Sequence, residues 1–160
     1  MKKLIFIVLV ALSIFAFQAA LSQTAAQSVT LEVQAINKIS ISGPVSLLIN
    51  DALAGSDPTP VSNSATSYNI THNGSSTGKI TASINSALPA GIILKLTTAA
   101  VLGASAGQVD ISNATSAADV VTGVGLGKAS NQGITYDFSA TLAAGVFAST
   151  VKTVTYTVTN

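Results

Sequence analysis

The chain of 160 residues has no cysteine, no tryptophan and no arginine. Without cysteine it has no disulfide, no thiolate nucleophile and no cysteine-based zinc site. Without arginine it lacks the guanidinium group that binds phosphate and carboxylate through two hydrogen bonds at once, and its few lysines form no basic patch. We therefore expect no nucleic-acid partner.

Residues that carry chemistry are also scarce, since only 8% of the chain is charged and His72 is its single histidine. A serine or threonine nucleophile needs a base that a third group orients, and a metal site needs several ligands. The acidic residues do not follow the spacing of a calcium loop, and few aromatic side chains are present to bind sugar rings. We predict a non-enzymatic protein that uses no cofactor and no metal.

What the sequence does contain begins with a leader. Two lysines precede an apolar run that starts at Leu4, and small residues follow at Ala20 and Ser22. The run is shorter than the about 20 apolar residues of a membrane-spanning helix. This arrangement predicts a signal peptide over residues 1–22 that is cleaved before Gln23, with an uncleaved anchor as the alternative. The mature chain is then secreted or displayed at the cell surface, with no membrane span.

Apolar and polar residues alternate along much of residues 23–160, and no amphipathic pattern long enough for a three-turn helix interrupts them. A period of two is typical of strands that bury one face. Turn residues separate these runs at fairly even intervals. We predict an all-β fold, a single immunoglobulin-like β-sandwich of about seven to nine strands over residues 23–160.

Three local structures follow from the same patterns. Val29, Leu31, Val33 and Ala35 share one face of a predicted first strand. The same face resumes at Ile39 and Ile41, in one long strand or in a second one after a bend near Asn37, and another short run covers residues 45–49. The runs over residues 68–72 and 80–84 are separated by a glycine-containing linker, which predicts a hairpin. Residues 116–121 begin with a serine and predict one helical turn.

Two loops and one row of threonines are the remaining features. Residues 51–60 and 99–107 are rich in small residues or turn formers, and loops often carry binding residues. Thr153, Thr155, Thr157 and Thr159 occupy alternate positions at the end of the chain. Such a row resembles the Thr-x-Thr faces of ice-binding proteins, although a solvent-facing strand of high β-propensity gives the same pattern.

The last part of the chain resembles secreted bacterial β-sandwich surface proteins. Residues 134–138 (ITYDF) form a strand pattern, residues 144–147 (AGVF) an Ala-Gly-aromatic turn, and residues 151–158 (VKTVTYTV) a Val/Thr-rich final strand. Pilins of the archaic chaperone–usher and spore-coat-U type, and surface domains of the WxL type, end in a similar way. The chain departs from them in lacking the cysteines common in those pilins and the tryptophan of WxL domains.

The pilin resemblance implies assembly by strand addition. An incomplete sandwich exposes an edge, and the N-terminal strand of a neighbouring subunit fills it. Val29, Leu31, Val33 and Ala35 are then the inserting residues; alternatively, this strand pairs within its own domain.

Two classes of function remain open at this point. The first is a structural, fimbria-like surface subunit that associates with itself or with a surface partner protein. The second is a secreted binding module for carbohydrate or protein, whose contacts are the loops over residues 51–60 and 99–107. Ice binding is a more remote third.

Overall fold

The structure, a computed structural model, describes residues 23–74 and 76–160 of the chain. The predicted signal peptide, residues 1–22, lies outside the described residues. All assigned strands belong to one compact unit, Gln34–Asn160, whereas residues 23–33 belong to a separate unit. Over the described part of the chain, no helix has the length and apolar character needed to cross a membrane.

Strands dominate the described residues, and the only helical element among them is a 3₁₀ turn at Leu142–Ala144. The strands are β1 (Asn37–Ile41), β2 (Val61–His72), β3 (Gly78–Ile84), β4 (Ile92–Thr98), β5 (Ala104–Ser105), β6 (Gln108–Asp110), β7 (Ala118–Val124), β8 (Gly127–Ala140) and β9 (Val154–Thr159).

These strands form two antiparallel sheets. Sheet 1 has five strands in the order β1-β2-β8-β4-β6, and sheet 2 has four in the order β5-β7-β3-β9. Every strand pairing is antiparallel. The predicted all-β fold is therefore confirmed, and the two sheets fit a sandwich.

Alternation along the strands builds the core. In β4 every second residue is buried, and Leu96, which is fully buried, lies opposite Tyr136 of β8. From sheet 2, Ile80 and Val120 contribute buried side chains to the same cluster. Burying one such aliphatic side chain contributes about 1.5–3 kcal/mol. With no disulfide in the chain, this packing together with the ladder hydrogen bonds supplies the stability.

The predicted hairpin between residues 68–72 and 80–84 is wrong. β2 pairs with β1 and β8 in sheet 1, whereas β3 pairs with β7 and β9 in sheet 2. The linker crosses from one sheet to the other, and a Cβ atom at Gly78 would lie 2.5 Å from the backbone oxygen of Thr159. Alternation shows which face of a strand is buried, and strands that face each other across a sandwich satisfy it as well as hydrogen-bonded neighbours do.

The helical turn predicted over residues 116–121 is also wrong, because residues 118–124 form β7. Val120 and Val121 are both almost completely buried. The register between β7 and β3 is irregular at this point, where Ile80 pairs with Val121 and Thr81 with Asp119. Packing in the core and pairing with β3 outweigh the weak capping signal at the start of the segment.

No strand is assigned to residues 29–36, the first part of the predicted strand, whereas its continuation at Ile39 and Ile41 is confirmed as β1, which begins at Asn37. Val29, Leu31 and Val33 are 69%, 87% and 84% exposed, and Ala35 is exposed as well. Residues 45–49 likewise form no strand. An alternating sequence becomes a strand only when its backbone N–H and C=O groups pair with a neighbouring strand.

Candidate assembly groove

The two sheets have different edges on their two sides. On one side they end in β5 and β6, which have two and three residues. On the other side they end in β1 and β9, which have five and six residues. An edge strand presents unpaired backbone donors and acceptors to other chains, and shortening it reduces that hazard. The β1 and β9 side is therefore the side suited to pair with a further strand.

A groove of about 1260 Å³ opens on this side of the unit. Ile92 and Leu94 of β4 and Tyr136, Phe138 and Ala140 of β8 line it from sheet 1. Residues 43–52 and 145–154 line it as well, as do Ile41 of β1 and Tyr156 of β9. The groove is therefore lined by apolar side chains of the core that are themselves largely buried, and Val45, Leu47 and Phe147 pack against that core.

The groove stays open because the chain leaves the sheets on both of its sides. On the β1 side, the last ladder bond runs from the Ser42 N–H to the Ser67 oxygen at 2.9 Å. Pro44 follows, and proline has no N–H to extend a ladder. Residues 61–66 of β2 consequently pair with β8 alone.

On the β9 side, residues 145–153 run without strand pairing into β9. The Lys152 ammonium donates to the Ser86 hydroxyl at 2.7 Å, and the Thr153 N–H donates to the Asn85 side chain at 3.1 Å. These bonds fix the end of the segment to the turn after β3. The rim of the groove on this side is thus held in place by specific hydrogen bonds.

A pair of tyrosines lies at the groove. The hydroxyl oxygens of Tyr136 and Tyr156 are 2.7 Å apart, so one hydroxyl donates to the other. Burial raises the pKa of Tyr136, and burial followed by the proximity of Tyr136 raises that of Tyr156. Each hydroxyl therefore has one hydrogen-bond partner within the protein, and the hydrogen of the accepting hydroxyl is not used by this contact.

Buried tyrosines make stability sensitive to alkaline pH. Tyr68, Tyr136 and Tyr156 all have a pKa raised by burial, against about 10 in an unfolded chain. Above that pH the unfolded chain loses protons that the folded chain keeps. We expect the free energy of unfolding to be insensitive to these groups below about pH 9 and to fall above pH 10, by up to about 1.4 kcal/mol per pH unit for each tyrosine. Urea unfolding at pH 8 to 11 measures this slope.

A Tyr156→Phe variant provides the control for this measurement. It removes one of the three titrating groups, so its alkaline slope should be shallower than that of the unchanged protein. Equal slopes in the two proteins, or a free energy of unfolding that stays constant up to pH 11, would contradict the expectation.

The stretch before β1 is attached at the end of β2. The Asn73 N–H donates to the Ile36 oxygen at 3.0 Å, the Ile36 N–H donates to the Asn73 side chain, and the Asn73 amide donates to the Gln34 oxygen at 3.2 Å. The groove instead borders residues near the start of β2. Residues 34–36 of the compact unit are therefore held at the end of β2 opposite the groove.

His72 has a structural environment next to this attachment. It is 1% exposed, and its ring nitrogens lie 2.7 Å from the Asn37 side-chain oxygen and 3.1 Å from the Ser76 backbone oxygen. Within residues 23–74 and 76–160, no group of three or more His, Cys, Asp or Glu side chains is arranged to hold a metal ion.

The other sequence-derived candidates are dispersed. The loop over residues 51–60 closes through a bridge between Ala52 and Pro58, and that over 99–107 contains β5. Thr155 and Thr157 of β9 are exposed and lie opposite Ser83 and Thr81 of β3, but Thr81 is buried, so the exposed row of hydroxyl groups does not continue across β3.

The inserting residues predicted from the sequence fall on either side of the boundary between the units. Val29, Leu31 and Val33 belong to residues 23–33, and Ala35 belongs to the compact unit. Sequence reasoning did not predict the groove itself. Its one local signal was the Ala-Gly-aromatic turn at residues 144–147, which lies on the rim.

Comparisons of the chain with protein-family models, with curated proteins and with solved structures give no match. A proposal for the function therefore depends on the geometry of the groove and on the chemistry of the residues around it.

Proposed function

We propose that this chain is an exported, non-enzymatic structural subunit with an immunoglobulin-like sandwich, and that it forms fimbria-like assemblies at the cell surface by strand addition. One observation carries the proposal: the β1 and β9 side has an apolar groove between long edges, and the same chain has an exposed row of alternating apolar residues. In this proposal, residues 23–33 of one copy insert into the groove of the next, and Ala35, at the edge of the segment, enters only if the bonds of residues 34–36 to Asn73 open.

The chemistry of the inserting segment matches that of the groove. Val29, Leu31, Val33 and Ala35 all point to the same side when the segment is extended, about 6.6 Å from one to the next. The groove presents aliphatic and aromatic side chains to them. Burying each of the three larger side chains contributes about 1.5–3 kcal/mol, and backbone hydrogen bonds to the free edge of β9 fix the register.

The attachment at Asn73 favours insertion into another copy. Residues 34–36 are bonded to the end of β2, and β1 runs from there toward the groove. The path of residues 34–36 therefore leads away from the groove of the same copy. Insertion into a second copy stacked end to end needs no reversal of that path, and it places the inserted strand antiparallel to β9 and parallel to β1. Such a contact is heterologous and propagates into an open chain.

Electron microscopy and sedimentation of the chain from Gln23 to Asn160 test the proposal. We expect linear assemblies that shorten when a synthetic peptide of residues 23–36 is added in excess, because the peptide competes for the groove. A peptide of the same composition in scrambled order should have no effect. A protein that stays monomeric at every concentration would contradict the proposal. If that monomer bound a glycan or a protein, the binding-module alternative would be favoured.

A further inference from the structure

The two ends of β2 differ in charge. The loop over residues 51–60, which precedes β2, contains the exposed residues Asp51 and Asp57. At the other end, Thr71 lies between Lys38 of β1 and Lys128 of β8, its Cα partners on either side. Both lysines are exposed. The same strand therefore has two carboxylates before its start and two ammonium groups beside its end.

Exposed leucines accompany the charges at both ends. Leu53 lies in the acidic loop and is 75% exposed. Leu142 is 67% exposed, and its N–H donates to the Asp57 carboxylate at 3.0 Å. Near the other end, Leu126 is 70% exposed and immediately precedes the first residue of β8, which pairs with His72. Each end thus combines two exposed charges of one sign with exposed apolar surface, although at the acidic end Lys152 also lines the groove.

The acidic end is also the end that borders the groove. Asp51, Ala52 and Pro58 are among the residues that line it. The basic end is where the N-terminal segment is attached, since Asn73 follows Thr71 by two residues. When the segment of one copy enters the groove of another, the basic end of the first copy approaches the acidic loop of the second.

We propose that these two surfaces form a second contact between successive copies, in addition to strand insertion and dependent on the proposed function. Asp51 and Asp57 of one copy face Lys38 and Lys128 of the next, and Leu53 and Leu142 pack near Leu126. Exposed ion pairs are individually weak and are screened by salt. The contact therefore limits rotation about the inserted strand and adds modestly to the strength of assembly.

A charge-exchange series in the chain from Gln23 to Asn160 tests the contact. The double variant Lys38→Glu/Lys128→Glu places like charges at the interface, and we expect it to raise the concentration needed for assembly about tenfold at low salt. In 1 M salt, where the screening length is about 3 Å, the difference from the unchanged chain should largely disappear. Adding Asp51→Lys and Asp57→Lys to the double variant restores attraction, and assembly should return to within about twofold.

Two outcomes separate this proposal from the proposed function. Binding of the peptide of residues 23–36 is measured in dilute protein, where no assembly forms, for the unchanged chain and for Lys38→Glu/Lys128→Glu. Equal binding to both proteins, with weaker assembly of the variant alone, supports the end-to-end contact. If the variant assembles like the unchanged chain at low salt, the contact is wrong and strand insertion stands. If the peptide does not bind the unchanged chain, the proposed function itself fails.

Discussion

Under the proposed strand addition, a Leu31→Asp substitution is expected to raise the concentration at which the chain from Gln23 to Asn160 assembles by at least about a hundredfold. Leu31 is 87% exposed, so the change should have little effect on the folding of the single chain. In the groove, however, the carboxylate would lie among apolar side chains, and burying an ion without a partner costs several kcal/mol. About 2.8 kcal/mol corresponds to a hundredfold change in an equilibrium constant. Sedimentation over a range of concentrations measures the effect.

Thr30→Asp is the matched control for this substitution. Thr30 is exposed, adjacent to Leu31 and on the opposite face of the alternating segment. The Thr30→Asp substitution adds the same negative charge as Leu31→Asp, but in an inserted strand this charge points away from the groove. We expect its assembly to stay close to that of the unchanged chain. Equal impairment of the two variants would mean that the segment does not insert with the face that carries Leu31 inward.

A Val154→Asp substitution changes the groove that receives the inserted strand. We expect it to raise the concentration needed for assembly about as much as Leu31→Asp does. Val154 is partly buried at the first position of β9 and lines the groove. A carboxylate there meets the apolar face of an incoming strand and repels it for the same reason. Thr155→Asp places the charge on the exposed face of the same strand and serves as the control. Ile41, the last residue of β1, is 40% exposed and also lines the groove. Ile41→Asp therefore repeats the test at the edge of sheet 1.

Mixing the two defective proteins gives the most specific result. Leu31→Asp keeps an intact groove and Val154→Asp keeps an intact N-terminal segment, so each supplies what the other lacks. We expect neither to assemble alone and the mixture to stop at a dimer with one copy of each. Long assemblies in the mixture, or no association at all, would contradict a head-to-tail exchange of one strand. Urea unfolding of each variant confirms that it remains folded.

Alternation predicted the fold class and several elements well. The final strand and the loop at residues 51–60 lie where the sequence places them, and the strand predicted from the alternation of Ile134 to Leu142 is confirmed as far as Ala140, within β8. The assignment of strands to sheets could not be predicted in the same way, as the runs on either side of Gly74 show. A period of two specifies a buried face, whereas the hydrogen-bonded neighbour depends on contacts between residues far apart in the chain.

The groove could not be predicted from the alternation pattern either. Phe138 and Tyr156 both fit an ordinary core pattern, and nothing near either residue indicates that the space beside them is unfilled. The opening results from two departures of the chain from its sheets, at Pro44 and over residues 145–153, which are far apart in sequence. Only their joint position relative to β1 and β9 leaves a groove beside the core.

By itself, the sequence determined three properties of this protein. It has few ionisable side chains, its strands bury one face, and apolar residues alternate at Val29, Leu31 and Val33. These properties depend on single residues and their near neighbours. The tertiary structure alone decided which edges are long, where the groove lies, and that Lys38 and Lys128 flank the end of β2 farthest from Asp51. An edge is defined by the strand that is missing beside it, so it is a property of the whole sheet and leaves no periodic signal in the chain.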